Sequence, residues 1–305
     1  STMSLFSGLD SVTIVGYFLR LGQLLSTCVP FSLVAVEDTL RVGIGNWCIF
    51  IWCFCFSASL LILLTELCIF RSRFPHYWDG FLHAYAFYFT FICLSASIIF
   101  GITYIQYLPQ GPAQNHAITA TAFSAVASVL YALEVAWVYM AYMWKHYKLK
   151  NIPCYVHTLP GLLKILESAV ACVIFVFISN TSLYLHQPAL EWCVAVYSIC
   201  FVQVVVAMLL KLRGWEKRLP LRLPTFHRVG TWFSFLLYVI AMVLWPLYQF
   251  NEKLGGQPHW YRDMSCVDEL TNYGCVWDQQ LAVAILTAIN LVIYVADLVY
   301  WTRQV

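Results

Sequence analysis

The sequence predicts an all-α membrane protein whose eight transmembrane helices form two tandem four-helix bundles, with both termini cytosolic. Three observations predict it. Hydrophobic residues make up 61% of the 305 residues and charged residues 10%, far from the roughly 45–50% and 25% usual in soluble domains. Eight windows are apolar and long enough to span a bilayer, which takes about 20 residues. The chain also repeats itself: NWCIFIWCFCF from Asn46 returns as EWCVAVYSICF from Glu191, at an offset of 145 positions. A fixed period of that length marks a duplicated module.

The repeat extends to both sides of that helix. Upstream, Arg20-x-x-Gln23 with Cys28 and Phe31 is mirrored by Lys164-x-x-Glu167 with Cys172 and Phe175, at an offset of 144. Downstream, Phe100-Gly101 stands where the second copy has Trp245-Pro246. Tyr131-Ala-Leu-Glu134 matches Tyr294-Val-Ala-Asp297 at an offset of 163, which places an insertion of about 18 residues before the last helix.

The windows follow in order. Helix one covers 17–36 and enters with Arg20; helix two covers 46–69 and leaves with Glu66. Helix three, 81–102, carries the small residues Ser95-Ala96-Ser97, and helix four, 117–143, carries a small-residue run from Ala120 to Ala127 and then Glu134. Small residues of this kind allow close helix approach. Pro160-Gly161 is a turn signal before helix five, 161–180, which holds Lys164. Helices six and seven cover 190–210 and 230–250, and helix eight, 279–301, holds Asp297. The expected domains are 13–147, a cytosolic linker 148–157, and 158–303 with an extracellular loop 251–278. Residues 1 to 16 lack the basic and apolar regions of a signal peptide, so the first spanning helix is expected to act as its own insertion signal.

Lys and Arg set the orientation. Twelve of the seventeen lie in the loops after helices two, four and six or in the C-terminal tail; Arg41, Lys253 and Arg262 lie on the other side, and Arg20 and Lys164 begin helices one and five. That bias puts both termini in the cytosol. Each module holds an even number of helices, so the two copies point the same way, related by an axis along the membrane normal.

Ionisable groups within a span are functional candidates by default. Arg20, Glu66, Glu134, Lys164 and Asp297 all fall in the cytosolic third of the bilayer by sequence depth. Opposite charges at one level predict pairing of Arg20 with Glu134 or Glu66, and of Lys164 with Asp297. One reading is that these structural ion pairs lock helix register. The other is a proton or ion relay, which would need polar groups reaching the outer half of the membrane.

Of twelve cysteines, Cys266 and Cys275 stand in the outer loop, nine positions apart, and are expected to form a disulfide. Cys68, at a cytosolic helix end, and Cys154, in the linker, are placed for S-palmitoylation; the other eight read as packing residues. Asn180-Thr181-Ser182 is a glycosylation sequon so close to a helix end that it is expected to stay mostly unmodified. The basic loop, with Lys211, Arg213, Lys217, Arg218 and Arg222, is a candidate contact for anionic inner-leaflet lipid, or else simply obeys the positive-inside rule. A net charge of +2 does not predict a nucleic-acid partner. No metal-ligand spacing, phosphate-binding glycine loop or hydrolase motif is present, so neither a cofactor, a metal nor an enzymatic activity is expected.

The stretches GLLKILESAVACVIFVFIS from Gly161, HQPALEWCVAVYSICF from His186, VLWPLYQFNEKLGGQP from Val243 and LAVAILTAINLVIYVADLV from Leu281 resemble the myeloid-associated differentiation marker family of tandem MARVEL-domain proteins. In the first half LLSTCVPFSLVA from Leu24, GNWCIFIWCFCF from Gly45 and YALEVAW from Tyr131 are similar too. The chain departs from the family at Gly101, where the family tends to have proline, and in the linker 139–157. The resemblance implies a non-enzymatic plasma-membrane protein of cholesterol-rich, ordered (raft-like) domains. It also implies roles in cell spreading, migration and junctions through cortical actin and small-GTPase partners, and is compatible with an oligomer. Two other classes remain open: a transporter or channel with a site between the two bundles, and an adhesion or receptor protein using the disulfide-closed loop.

Overall fold

The computed structural model describes residues 11–41, 43–69, 78–105, 108–149, 158–181, 187–213, 222–256, 258 and 276–303. Eight long helices account for nearly all of them: α1 Ser11–Val36, α2 Ile44–Cys68, α3 Trp78–Phe100, α4 Pro112–Leu149, α5 Leu159–Thr181, α6 Pro188–Leu212, α7 Leu223–Phe250 and α8 Val276–Arg303. All eight are long and apolar enough to cross a membrane. Among the described residues there is no strand. A helix satisfies its own backbone hydrogen bonds, which hydrocarbon cannot do.

Helix ends follow from local chemistry. Pro112, Pro188 and Pro224 stand in the first turns of α4, α6 and α7, where a missing N–H costs nothing. Glu191 and Asp278 occupy the first turns of α6 and α8, and Lys211 and Arg303 the last, each complementing the helix dipole. Gly45 is required where α2 begins: a Cβ there would lie 1.7 Å from the Leu40 carbonyl oxygen.

Several helices overrun the apolar windows. α1 begins at Ser11, before residue 13, and α4 continues to Leu149, past the expected domain end at 147. Hydropathy reports where the hydrocarbon ends, whereas a helix runs until a breaker stops it, and none precedes Pro153. Pro30 and Pro246, the two places where a spanning helix had reason to break, lie inside continuous α1 and α7. Instead α3 passes into a π-helical turn at Gly101–Ile105.

The chain divides into two compact units, Ser1–Pro153 and Cys154–Val305. In the first, α1 packs on α2 and α4, and α3 packs on α2 and α4. Its core gathers Cys55, Phe89, Cys93, Ala127 and Tyr131, with Phe89 meeting Tyr85 and Tyr131 edge-on at centroid distances of 5.3 and 5.4 Å. In the second, α5 packs on α6 and α8, and α7 packs on α6 and α8. Tyr238 and Tyr294 lie 5.0 Å apart at its centre.

Candidate functional site: a buried charge cluster in each unit

Each unit ties its first helix to its last through a buried cation and two carboxylates. In the first unit Arg20 on α1 forks between Glu66 of α2 and Glu134 of α4, at 3.1 Å from the latter. Glu134 is 1% exposed and accepts two further bonds, from Gln23 Nε2 at 2.7 Å and from the Tyr85 hydroxyl at 2.8 Å. Glu66, nearer the helix end, also accepts from Trp78 Nε1 at 3.4 Å. Thus α1, α2, α3 and α4 all reach one carboxylate network.

The second unit repeats the plan with different donors. Lys164 Nζ on α5 lies 2.7 Å from Asp297 Oδ2 on α8 and 3.0 Å from Glu167 Oε2 on its own helix. It also donates to Thr231 Oγ1 of α7 at 3.2 Å and stands 5.7 Å from the Tyr294 ring centroid. Asn290 donates to the Tyr238 hydroxyl at 2.8 Å and to the Glu167 carbonyl at 3.3 Å. Lys164 is 4% exposed and Glu167 and Asp297 are fully buried.

A second pair of equivalent bonds lies further along the same helices. Trp52 Nε1 of α2 donates to Ser124 Oγ of α4 at 2.9 Å, and the hydroxyls of Tyr197 on α6 and Thr287 on α8 lie 2.7 Å apart. Both partners are related by the repeat offsets.

The other candidates among the described residues lie apart from these clusters. Cys68 ends α2 as an exposed free thiol. Lys211 falls in the last turn of α6, Arg213 follows it exposed, and Arg222 caps α7, also exposed. Cys154, Lys217, Arg218, Cys266 and Cys275 lie outside the described residues. Among the described residues no three His, Cys, Asp or Glu side chains are grouped to hold a metal.

Gln23, Tyr85, Glu167 and Thr231 belong to the clusters without having been predicted as site residues. For Gln23 and Glu167 the signal lay in the repeat itself, since both stand three residues after the paired cation. Tyr85 and Thr231 have no chemical counterpart at the equivalent positions, Gly230 and Ala86, so alignment of the copies gives them no mark.

Eight spans with all their deeply buried charges turned inward define a multi-pass membrane protein, and residues 155–300 match the MARVEL family, described as a membrane-associating domain. The chain is 52% identical to the human myeloid-associated differentiation marker over 303 residues, covering 96% of this chain and 92% of that protein. It is 48% identical to the mouse protein of the same name over 291 residues, 94% and 89% of the two chains. Identity is 35% to the Xenopus laevis myeloid-associated differentiation marker-like protein 2 over 289 residues, 94% and 91%. The chain belongs to the myeloid-associated differentiation marker family. No solved structure matches it.

Proposed function

We propose that the protein is a non-enzymatic organiser of ordered, raft-like plasma-membrane domains, built as two tandem four-helix bundles with both termini in the cytosol. The observation that carries this reading is the division of polarity across the spans. The deeply buried charges are consumed in the two clusters, while the outward faces carry large apolar side chains: Phe50, Phe54, Leu61 and Leu64 on α2, Phe233, Leu236, Ile240 and Val243 on α7. A surface of that kind meets acyl chains, and its aromatic and branched side chains favour well-packed, cholesterol-rich lipid. The basic residues at the ends of α6 and α7 would add attraction to anionic inner-leaflet lipid. Through that lipid environment the protein would act on cortical actin and small-GTPase partners in spreading, migration or junctions.

The test is partition of the fluorescently tagged protein between ordered and disordered phases of giant plasma-membrane vesicles. Enrichment in the ordered phase is expected; exclusion from it would remove the physical basis of the reading.

A further inference from the structure

The last turns of α7 form a groove that neither charge cluster uses. Val243, Pro246, Leu247 and Phe250 recur at the spacing of one helical face and floor a cavity of about 650 Å³. The opposite face of α7 is committed to the protein: Trp245 Nε1 donates to the Gln280 carbonyl of α8 at 3.1 Å, and Gln249 is buried. Val243 and Leu247 are 59% and 40% exposed, and exposed Ile240 and Leu236 carry the same apolar surface on along α7.

The rim of the groove is held by its own hydrogen bonds. Asn251 closes a 3₁₀ turn over Glu252–Leu254: its side chain accepts from the Lys253 N–H at 3.0 Å, and its carbonyl accepts from the Leu254 and Gly256 N–H groups at 3.1 and 2.9 Å. Gly255 takes the left-handed conformation at φ 86, and a Cβ at Gly256 would lie 2.6 Å from the Gln249 carbonyl, so these two glycines let the chain fold back on the end of α7. Phe250 is braced by Trp277 of α8, with ring centroids 5.5 Å apart. The turn therefore presents one acid and one base, Glu252 and Lys253, at the mouth of an apolar groove. Both are exposed, and neither belongs to an ion pair among the described residues. The first unit has no such place, because Gly101 stands opposite Pro246 where the helix becomes π-helical, and the segment 106–111 carries no charge.

We propose that this groove binds one zwitterionic choline phospholipid, with an acyl chain along the Val243–Phe250 face and the headgroup at Glu252 and Lys253. The site rests on the reading of the protein as a lipid organiser and gives that reading a lipid chemistry. The cavity falls within the range of small-molecule sites, which are mostly apolar with a few placed polar groups. Charge complementarity selects the occupant. The phosphate oxygens accept from the Lys253 ammonium. The quaternary ammonium is balanced by the Glu252 carboxylate and meets the Phe250 ring, the kind of surface that recognises such cations. A sterol hydroxyl would satisfy neither charge, and an anionic headgroup would bring a net charge that one acid and one base together do not offset.

Photolabelling of the purified full-length protein tests the proposal. The protein is placed in liposomes of a single fluid phase, so the result does not depend on partition into ordered domains. Phosphatidylcholine, phosphatidylglycerol and cholesterol, each carrying a diazirine in its apolar part, are irradiated in turn and the labelled positions mapped by mass spectrometry. The phosphatidylcholine probe should label 243–250 several-fold more than the outward face of α2 at Phe50, Phe54 and Leu61, which has no charged rim. The double variant Glu252→Gln, Lys253→Met changes two exposed side chains outside the hydrogen bonds of the turn and should bring the two faces to parity. Equal labelling of the two faces in wild type overturns the proposal, as does an enrichment that persists in the double variant. Stronger labelling of 243–250 by the cholesterol or phosphatidylglycerol probe overturns it too, by giving the groove to another lipid. Any of these results strikes the site alone, whereas exclusion from the ordered phase strikes the organiser reading.

Discussion

Glu134 and Asp297 stand 163 positions apart in the sequence, and each binds the buried cation on the first helix of its own unit, Arg20 at 3.1 Å and Lys164 at 2.7 Å. The duplicated element is therefore a closure, a bond between the first and last helices of a four-helix set. Lipid gives little hydrophobic drive for helices to associate, so packing and polar contacts of this kind decide which helices meet and in what register. Breaking such a pair from one side leaves a buried charge without its partner, at a cost of about 3–5 kcal/mol.

Tyr85→Phe removes one of three donors to Glu134 while keeping the ring that packs against Phe89 and Tyr131. It should destabilise the first unit by about 1 kcal/mol, the scale of an interhelical hydrogen bond within a membrane. Detergent-denaturation curves of the two proteins measure this, and an unchanged midpoint would show that the hydroxyl bond is inert.

Two glycines should respond differently to alanine. At Gly45 the new methyl would meet the backbone carbonyl of Leu40, which cannot move without displacing the turn before α2. At Gly230 it would meet the Gln203 amide nitrogen at 1.9 Å, the far end of a flexible side chain held by Ser234 at 2.9 Å. Overpacking costs about 1–3 kcal/mol where the neighbours can adjust and more where they cannot. Folded yield by size-exclusion chromatography should accordingly fall further for Gly45→Ala than for Gly230→Ala.

The eight spans were legible because hydropathy and the membrane's thickness leave few alternatives, and the repeat marked Arg20, Glu134, Lys164 and Asp297 as counterparts before any geometry was known. What was not legible depends on three-dimensional proximity. Tyr85 reaches Glu134 from α3 at a position whose counterpart is glycine, and Thr231 reaches Lys164 where the counterpart is alanine. Nor does a hydropathy window show that α4 continues as helix to Leu149, because polar residues there are as good helix formers as apolar ones. The expected Cys266–Cys275 disulfide and the Cys154 acylation site fall outside the described residues.

Neutralising Arg213, Lys217, Arg218 and Arg222 together should weaken association of the 211–228 segment with phosphatidylserine vesicles by up to about 1 kcal/mol per residue near the surface. Co-sedimentation of a peptide with this sequence at low and high salt measures it. Binding that is equal for the neutralised peptide would leave the positive-inside bias as the whole reason for these charges.

The central claim is that each unit is closed by a buried cation–carboxylate bond between its first and last helices, and a double-mutant cycle at Lys164 and Asp297 tests it most directly. Lys164→Met, Asp297→Asn and the double variant are each unfolded in detergent against wild type. Both single changes should destabilise, and the double change should cost less than their sum by about 0.5–3 kcal/mol, the coupling expected of residues in contact. Additive losses would contradict the claim, showing that the two side chains, though 2.7 Å apart, do not hold the helices together.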